Sequence, residues 1–403
     1  MIKQFFSFGT IAENLERRFY FMDIENKVYS TTAEPVRFKK GKLRIIHITD
    51  THYDFDNVDA SVRLLEEACK REKPDLAIVT GDNVDNFDEC TDTKKLIDKL
   101  MSVFDEQCIP VAITFGNHDS ERGAMSREEL MAHYNTHKSS ISVDDGDELS
   151  GCGTYNIPVL SSDSEKVKFN IWVFDSNDYD EEGRYGCVLP DQVEWYKKRS
   201  DELAQANGGE KVYSLAFQHM IVADVYDALK KSKVRVPFSY KHMYNKKEFY
   251  YFDPKGTNFG TLTETPCSGY HNYGQFEAMV EKGDVLAIFS GHDHTNGFGV
   301  RHKGIDISNT VSTRYNRDRF SSQYGYRIID VDEKDTSVYT SRVMHWYNMF
   351  SAEDVKMLEK SGDAFGAELA KNVRCNGFKQ KLFQSFLLAL GRLSSLRKIS
   401  YPD

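Results

Sequence analysis

Five apolar runs in this chain each stop at a polar cluster, and that repetition constrains the fold more than any other feature. Residues 43–49 (LRIIHIT) lead into Asp50-Thr51-His52, and residues 75–80 (DLAIVT) into Gly81-Asp82-Asn83-Val84-Asp85. Residues 110–115 lead into Gly116-Asn117-His118-Asp119, residues 212–218 (VYSLAFQ) into His219, and residues 284–290 (DVLAIFS) into Gly291-His292-Asp293-His294. Short continuous apolar runs suit strands buried on both faces. Helical spacing at residues 58–71 and 94–104 separates the first three runs, which is the β-α-β-α-β order of parallel strands covered by helices. Carboxyl ends of strands in open α/β sheets are where sites assemble. Each cluster alone is an ordinary polar turn, but the ordered set points to one rim.

Later segments are less regular. Residues 168–175 (KFNIWVFD) read as a strand, with a helix near 191–204 after it. Residues 305–311, 325–331 and 337–344 read as an antiparallel run, and residues 144–148 as an exposed acidic turn. The stretch 222–273 is rich in tyrosine and lysine and weakly periodic, as an insertion or lid would be. Its Tyr240, Tyr244, Tyr250, Tyr251, Tyr270 and Tyr273 would either cap a site or pack as a flap. Beyond about residue 351 the composition turns helical. Phe378, Leu382, Phe386, Leu390 and Leu393 recur at helical spacing among Lys379, Lys381, Arg392, Arg397 and Lys398. A basic amphipathic helix of this kind lies on an anionic membrane or docks on the core or on a partner; docking on the core or on a partner is favoured.

Composition narrows the function classes. The chain of 403 residues is 40% hydrophobic and 28% charged, ordinary for a soluble globular protein. A net charge of -10 weighs against sequence-independent binding of nucleic acid. Seven cysteines without a Cys-x-x-Cys pair favour a reducing compartment over a disulfide framework. No apolar run is long enough for a membrane span, and the N-terminus lacks a signal-peptide core. The expectation is a cytoplasmic protein, with peripheral membrane association left open through the tail. A serine hydrolase is disfavoured because no Gly-x-Ser-x-Gly elbow occurs.

The strand-end clusters offer only nitrogen and oxygen donors, which suits manganese, iron, zinc and less often magnesium. They exceed what one ion needs with positions open for water. Two ions sharing a carboxylate would use them all and could clamp both oxygens of a phosphoryl displacement.

Asp50-x-His52, Gly81-Asp82-x-x-Asp85, Gly116-Asn117-His118-Asp119, His219 and Gly291-His292-x-His294 resemble, in order, the blocks of the calcineurin-like metallophosphoesterase superfamily. The resemblance runs from about residue 43 to 294 and continues into the following strands. It implies an α/β fold, a four-layer α/β/β/α sandwich of two mixed sheets, with a helical C-terminal extension. The implied layout is an N-terminal extension at 1–40, a metallophosphoesterase domain at 41–345 with the insertion at about 222–273, and the extension at 346–403. It implies one metal on Asp50, His52, Asp82 and His294, and a second on Asp82, Asn117, His219 and His292. His118 would stand near the leaving group, oriented by Asp85. Asn86-Phe87 stands where the Ser/Thr protein phosphatases carry Arg-Gly, and Asp85 where purple acid phosphatases carry tyrosine. Both branches are therefore disfavoured. VFDSNDY (173–179), WYKK (195–198) and FQHM (217–220) resemble a branch of single-domain phosphohydrolases instead.

The expected reaction is phosphate ester hydrolysis by a dimetal phosphatase. A hydroxide bridging two divalent ions, manganese first with iron or zinc as alternatives, attacks phosphorus while His118 protonates the leaving oxygen. The expected substrate is a phosphorylated small molecule or phosphoprotein. The alternatives are a phosphodiesterase or nuclease with the same metals, or a metal-stabilised binding protein without catalysis. Asp119 and Asp293 read as partners of a ligand histidine or as turn carboxylates. His47 reads as a core histidine, Arg122 as a loop arginine within possible reach of phosphate, and His133 and His137 carry no assignment.

Overall fold

The computed structural model describes residues 35–84, 89–121, 125–143, 149–253, 256, 258–315 and 323–360, the backbone of two short N-terminal strands, and scattered positions between 366 and 382. Asp85, Arg122, the acidic turn at 144–148 and nearly all of the basic tail helix lie outside the described residues.

Two mixed sheets face one another. The first has five strands in the order Asp335–His345, Gly325–Asp332, Lys42–Ile48, Leu76–Thr80 and Val111–Thr114. Its last three strands are mutually parallel. The second has seven in the order Asn258–Thr261, Gly297–His302, Ile305–Asn309, Val285–Ser290, Ser214–Phe217, Val167–Val173 and Tyr155–Leu160. Four consecutive central strands of this sheet are parallel.

Period-two alternation divides each strand between two cores. Leu43, Ile45, Leu76 and Ile78 meet Ile171, Val173, Leu215, Phe217 and Phe289 between the sheets. Ile46, Ile48, Ala77 and Val79 point the other way, under Leu64, Leu65, Leu100 and Phe104 of the helices Val58–Glu72 and Cys90–Gln107. On the far side Trp172, Ala216 and Ile288 pack under Val193, Tyr196, Phe276 and Met279 of the helices Pro190–Ala206 and Gln275–Lys282. These layers make the α/β/β/α sandwich.

Three expectations change. Residues 305–309 do not join the run at 325–345; they pair in parallel with Val285–Ser290 in the other sheet. Strand Tyr155–Leu160 carries Pro158, which weakens its sequence signal, and it lies at a sheet edge where a missing N–H is tolerated. The tyrosine-rich stretch contains its own small sheet, Lys230–Ser232, Phe249–Tyr251 and Tyr240–Lys241, while Asn258–Thr261 extends the large sheet.

A polar link crosses the interior between the sheets. Arg327 is 1% exposed; its guanidinium donates to Asn309 O at 2.7 Å and, through Nε, to Thr310 Oγ1 at 3.0 Å. His47, a fully buried core histidine, sits between the hydroxyls of Thr310 and Thr80 at 2.8 Å each. Burial, then the Arg327 charge, holds this imidazole well below its usual range, so it is neutral. Removing Arg327 orphans buried acceptors on the opposing sheet. Arg327→Ala should cost about 2–4 kcal/mol in urea unfolding; a loss under about 0.5 kcal/mol, the range of ordinary surface changes, would show that the link does not hold the sheets.

Candidate active site

The five polar clusters meet at one end of the sandwich. Asp50, His52, Asp82 and Asn117 follow strands of the five-stranded sheet, and His219, His292 and His294 follow strands of the seven-stranded sheet. Backbone bonds tie the turns together: Asp50 N–H donates to Gly81 O at 3.0 Å, His52 N–H to Asp82 O at 2.9 Å, and Gly291 N–H to His219 O at 3.0 Å. Four of these residues have left-handed backbones, with φ of 51° at Asp50, 41° at His52, 50° at Asp82 and 69° at His292. Such conformations are uncommon for non-glycine residues and concentrate at sites where surrounding structure holds them.

Four side chains share one arrangement: one polar atom is tied to the scaffold and the other is left bare. Asp50 Oδ2 accepts from Thr49 Oγ1 at 2.7 Å and from His292 N–H at 2.9 Å, while Oδ1 has no hydrogen bond. Asp82 Oδ1 accepts from His118 N–H at 2.8 Å, while Oδ2 is bare. Asn117 Nδ2 donates to Tyr179 Oη at 2.9 Å, leaving its Oδ1 alone. His219 Nδ1 donates to Thr80 O at 2.8 Å, which leaves Nε2, without a hydrogen bond, as the nitrogen that could face a cation. Buried polar atoms are ordinarily paired. Here the bare atoms converge: Asp82 Oδ2 lies 3.4 Å from His219 Nε2 and 3.6 Å from His52 Nε2, and Asp50 Oδ1 lies 3.5 Å from His294 Nε2.

Two groups could hold a cation, Asp50–His52–Asp82–His294 and Asp82–His219–His292, with donor atoms in each within 4.8 Å of one another. Asp82 is common to both. Asn117 Oδ1, bare and buried, adds an amide oxygen to the neighbourhood. The donor set therefore fits two divalent ions that share a carboxylate, and the orphaned atoms are those such ions would satisfy.

The electrostatics agree. Burial would raise the Asp82 carboxyl, but His219, His52 and His118 bring it well below its usual range. Burial would lower His219, but the Asp82 carboxylate dominates and lifts it to about 9. In the absence of a metal this pair is held by a proton.

Several contributors have roles that the sequence did not define. Asp119 partners no histidine; its carboxylate accepts backbone N–H groups of Gly116 at 2.7 Å, Asp82 at 2.8 Å and Asn83 at 2.9 Å. Burial, then the Asp82 charge, raises it to about 6. Asp293 likewise holds Cys267 N–H at 3.0 Å and Asn296 Nδ2 at 2.8 Å, which pins the end of the tyrosine-rich stretch beside His292. Tyr185 meets the His292 ring edge-on with centroids 4.4 Å apart. Among the described residues the carboxylate on His118 is Glu121, whose Oε2 lies 2.5 Å from Nδ1; Tyr179 Oη donates to its other oxygen at 3.2 Å. Arg127 braces the same loop, donating to Gly116 O at 2.8 Å and to Asp175 at 2.6 Å. Asp119 and Asp293 carried a sequence signal as neighbours of candidate ligands, and Glu121, three residues after His118, offered one that the sequence reading did not use. A Cβ at Gly116 would lie 2.3 Å from Asp82 Oδ1, so this glycine is needed for the close approach.

Two outcomes test this arrangement. Asp119→Ala should fold but bind manganese about 10–100-fold more weakly in a calorimetric titration, because the turn holding Asp82 and Asn117 loses its brace; unchanged affinity would remove that role. Metal entry must displace the proton on His219. Affinity should therefore rise with pH between 6 and 8, by about tenfold per unit for one proton, and level off above the imidazole's value near 9. A flat profile over that window would contradict the lifted imidazole.

A model of the calcineurin-like phosphoesterase family matches residues 43–296. The probable inactive purple acid phosphatase 14 of Arabidopsis thaliana is 28% identical over 296 residues, covering 66% of this chain and 69% of its own. Phosphatase DCR2 of Saccharomyces cerevisiae is 22% identical over 290 residues, covering 65% of this chain and 46% of its own. A crystal structure of a dimetal phosphatase from Danio rerio is 15% identical, with a TM-score of 0.48, covering 78% of this chain and 100% of that one. The sequence pattern at position 85 set the purple acid phosphatases apart. Relatives bearing that name are nevertheless similar across two thirds of the chain, so the exclusion is withdrawn as a statement of kinship. At the level the family model carries, the chain belongs to the calcineurin-like phosphoesterase family.

Proposed function

We propose that this chain is a dimetal phosphoric ester hydrolase of the phosphatase type. The observation that carries the reading is the set of four buried bare atoms, Asp50 Oδ1, Asp82 Oδ2, Asn117 Oδ1 and His219 Nε2, gathered beside His52, His292 and His294. One ion would be held by Asp50, His52, Asp82 and His294, and the other by Asp82, Asn117, His219 and His292, with manganese as the first choice and iron or zinc as alternatives. When bound, such ions supply charge for the phosphoryl oxygens and lower the pKa of a coordinated water.

The chain's own groups supply the rest. His118 is a partly exposed imidazole at the site's rim, 5.4 Å from the His52 ring between centroids. Its Nδ1 proton is taken by Glu121, so Nε2 is the atom that meets substrate and, in the protonated ring, gives its proton to the departing alkoxide. Tyr179 bridges Asn117 and Glu121, so the acid and a proposed ligand are positioned by one hydroxyl. Asp85, the orienting group expected from the sequence, lies outside the described residues; among the described residues Glu121 holds that position. The substrate class that fits is a phosphomonoester of a small molecule or a phosphoprotein.

A second reading has its own support: the Arabidopsis relative is named inactive, so the centre could hold metal without turnover. A panel of p-nitrophenyl phosphate and bis-p-nitrophenyl phosphate under manganese, iron with zinc, magnesium and chelator separates the readings. Monoester preference supports the proposal, diester preference a phosphodiesterase, and silence with two ions bound the inactive reading. His118→Ala should keep its metal content and lose about 10²–10⁴ in turnover of an alkyl phosphate, with a smaller loss for an aryl phosphate. Equal losses on both substrates would take the acid role away from His118.

A further inference from the structure

We propose that Asp98, His133 and His137 form a separate metal site, for a borderline first-row divalent cation such as zinc, that staples two covering helices. Asp98 lies on the helix Cys90–Gln107, and His133 lies in the last turn of the helix Arg127–Tyr134 with His137 one turn further on. The three donor atoms lie within 4.8 Å of one another, and the cluster shares no residue with the Asp82 groups. Asp98 Oδ1 is 2.8 Å from His133 Nε2 and 3.1 Å from His137 Nε2. With bonds of about 2.0–2.2 Å to nitrogen and oxygen, neighbouring donors around one tetrahedral ion stand roughly 3.3 Å apart, so a small outward relaxation admits the ion.

The surroundings of His137 are those of a supported metal ligand. Its Nδ1 lies 2.8 Å from Asp105 Oδ2. Asp105 is fixed in turn, because its Oδ1 accepts from Ser139 N–H at 3.0 Å and Ser139 Oγ at 2.7 Å. With Nδ1 directed at the Asp105 carboxylate, Nε2 is the ring nitrogen turned toward the Asp98 oxygen, and that place takes either a proton or a metal ion. A ligand histidine whose other ring nitrogen donates to a carboxylate is the usual support of a bound metal. Asp98 and Asp105, seven apart on one helix, thus take different parts, one as ligand and one as the group that sets the ring. Two imidazoles and one carboxylate suit zinc, cobalt or nickel better than magnesium or calcium. The two side chains of histidine are 17% and 15% exposed and that of Asp98 is 53% exposed, so an ion could enter from solvent and keep a water on the open side.

The placement suggests what the ion would do. The helix that carries His133 in its last turn begins at Arg127, which holds Gly116 O and Asp175. A staple at its far end would fix the segment that carries Asn117 and His118 at its near end.

The test uses the full chain, stripped with chelator, reloaded with zinc, desalted and measured for zinc per polypeptide. Wild type should hold one ion more than Asp98→Asn and one more than the double variant H133Q/H137Q, and zinc should raise its unfolding midpoint more than theirs. Equal stoichiometry in wild type and variants overturns the proposal. Should the double variant fail to fold, wild-type crystals soaked in zinc decide it. An anomalous peak at the zinc edge among Asp98, His133 and His137 supports the site, and no peak there, with the Asp82 centre filled, overturns it.

Discussion

The Asp82 carboxylate is buried, with one oxygen fixed by the His118 N–H and the other facing His52 and His219 without a hydrogen bond. An uncompensated charge in that position is costly. The protein meets the cost with histidines on one side and leaves an opening that cations satisfy. The surrounding turns follow from holding this group. Gly81 and Gly116 let the second and third strand ends approach closely, since a Cβ on Gly81 would lie 2.2 Å from Gly116 N. Asp119 then gathers the N–H groups of both turns onto one carboxylate. The left-handed backbones at Asp50, His52, Asp82 and His292 are the conformational strain this geometry stores.

Much of this was legible in the chain because strand termination and metal chemistry leave local marks. Apolar runs of strand length that stop at Asp-x-His or Gly-Asn-His-Asp report both a buried strand and the side chains at its end. What was not legible depends on contacts between distant segments. Asp119 binds backbone, and nothing in residue identity separates that from binding a histidine. Arg127 shows no role in the sequence, and acquires one only when Asp175 and Gly116 are brought to it. His133 and His137 acquire partners only when the helix carrying Asp98 packs alongside. The strand Ile305–Asn309 was placed with its sequence neighbours at 325–345, yet it pairs with Val285–Ser290, because alternation cannot say which sheet an apolar segment joins.

The family relationship and the site bear on different questions. The family model covers the run from the first strand to the last histidine cluster. The curated relatives include one named inactive and one named a phosphatase. Kinship therefore leaves turnover open, while the proposed proton donor His118 is backed by Glu121, and Tyr179 links Glu121 to Asn117. On the proposed reading, one ion ligand, Asn117, and the proton donor, His118, are adjoining residues of one turn.

The donors come from both sheets, so the sandwich must not slip. Arg327 and His47 bridge the sheets through Thr310 and Asn309, deep in an otherwise apolar interior where such bonds have no water to replace them. Shear between the two halves is thereby closed off as a way to widen the mouth. Any widening of the rim for the proposed phosphate ester would fall instead to peripheral segments such as the tyrosine-bearing stretch that Asp293 anchors through Cys267. Selectivity can then drift with that stretch while the ion-binding rim stays unaltered.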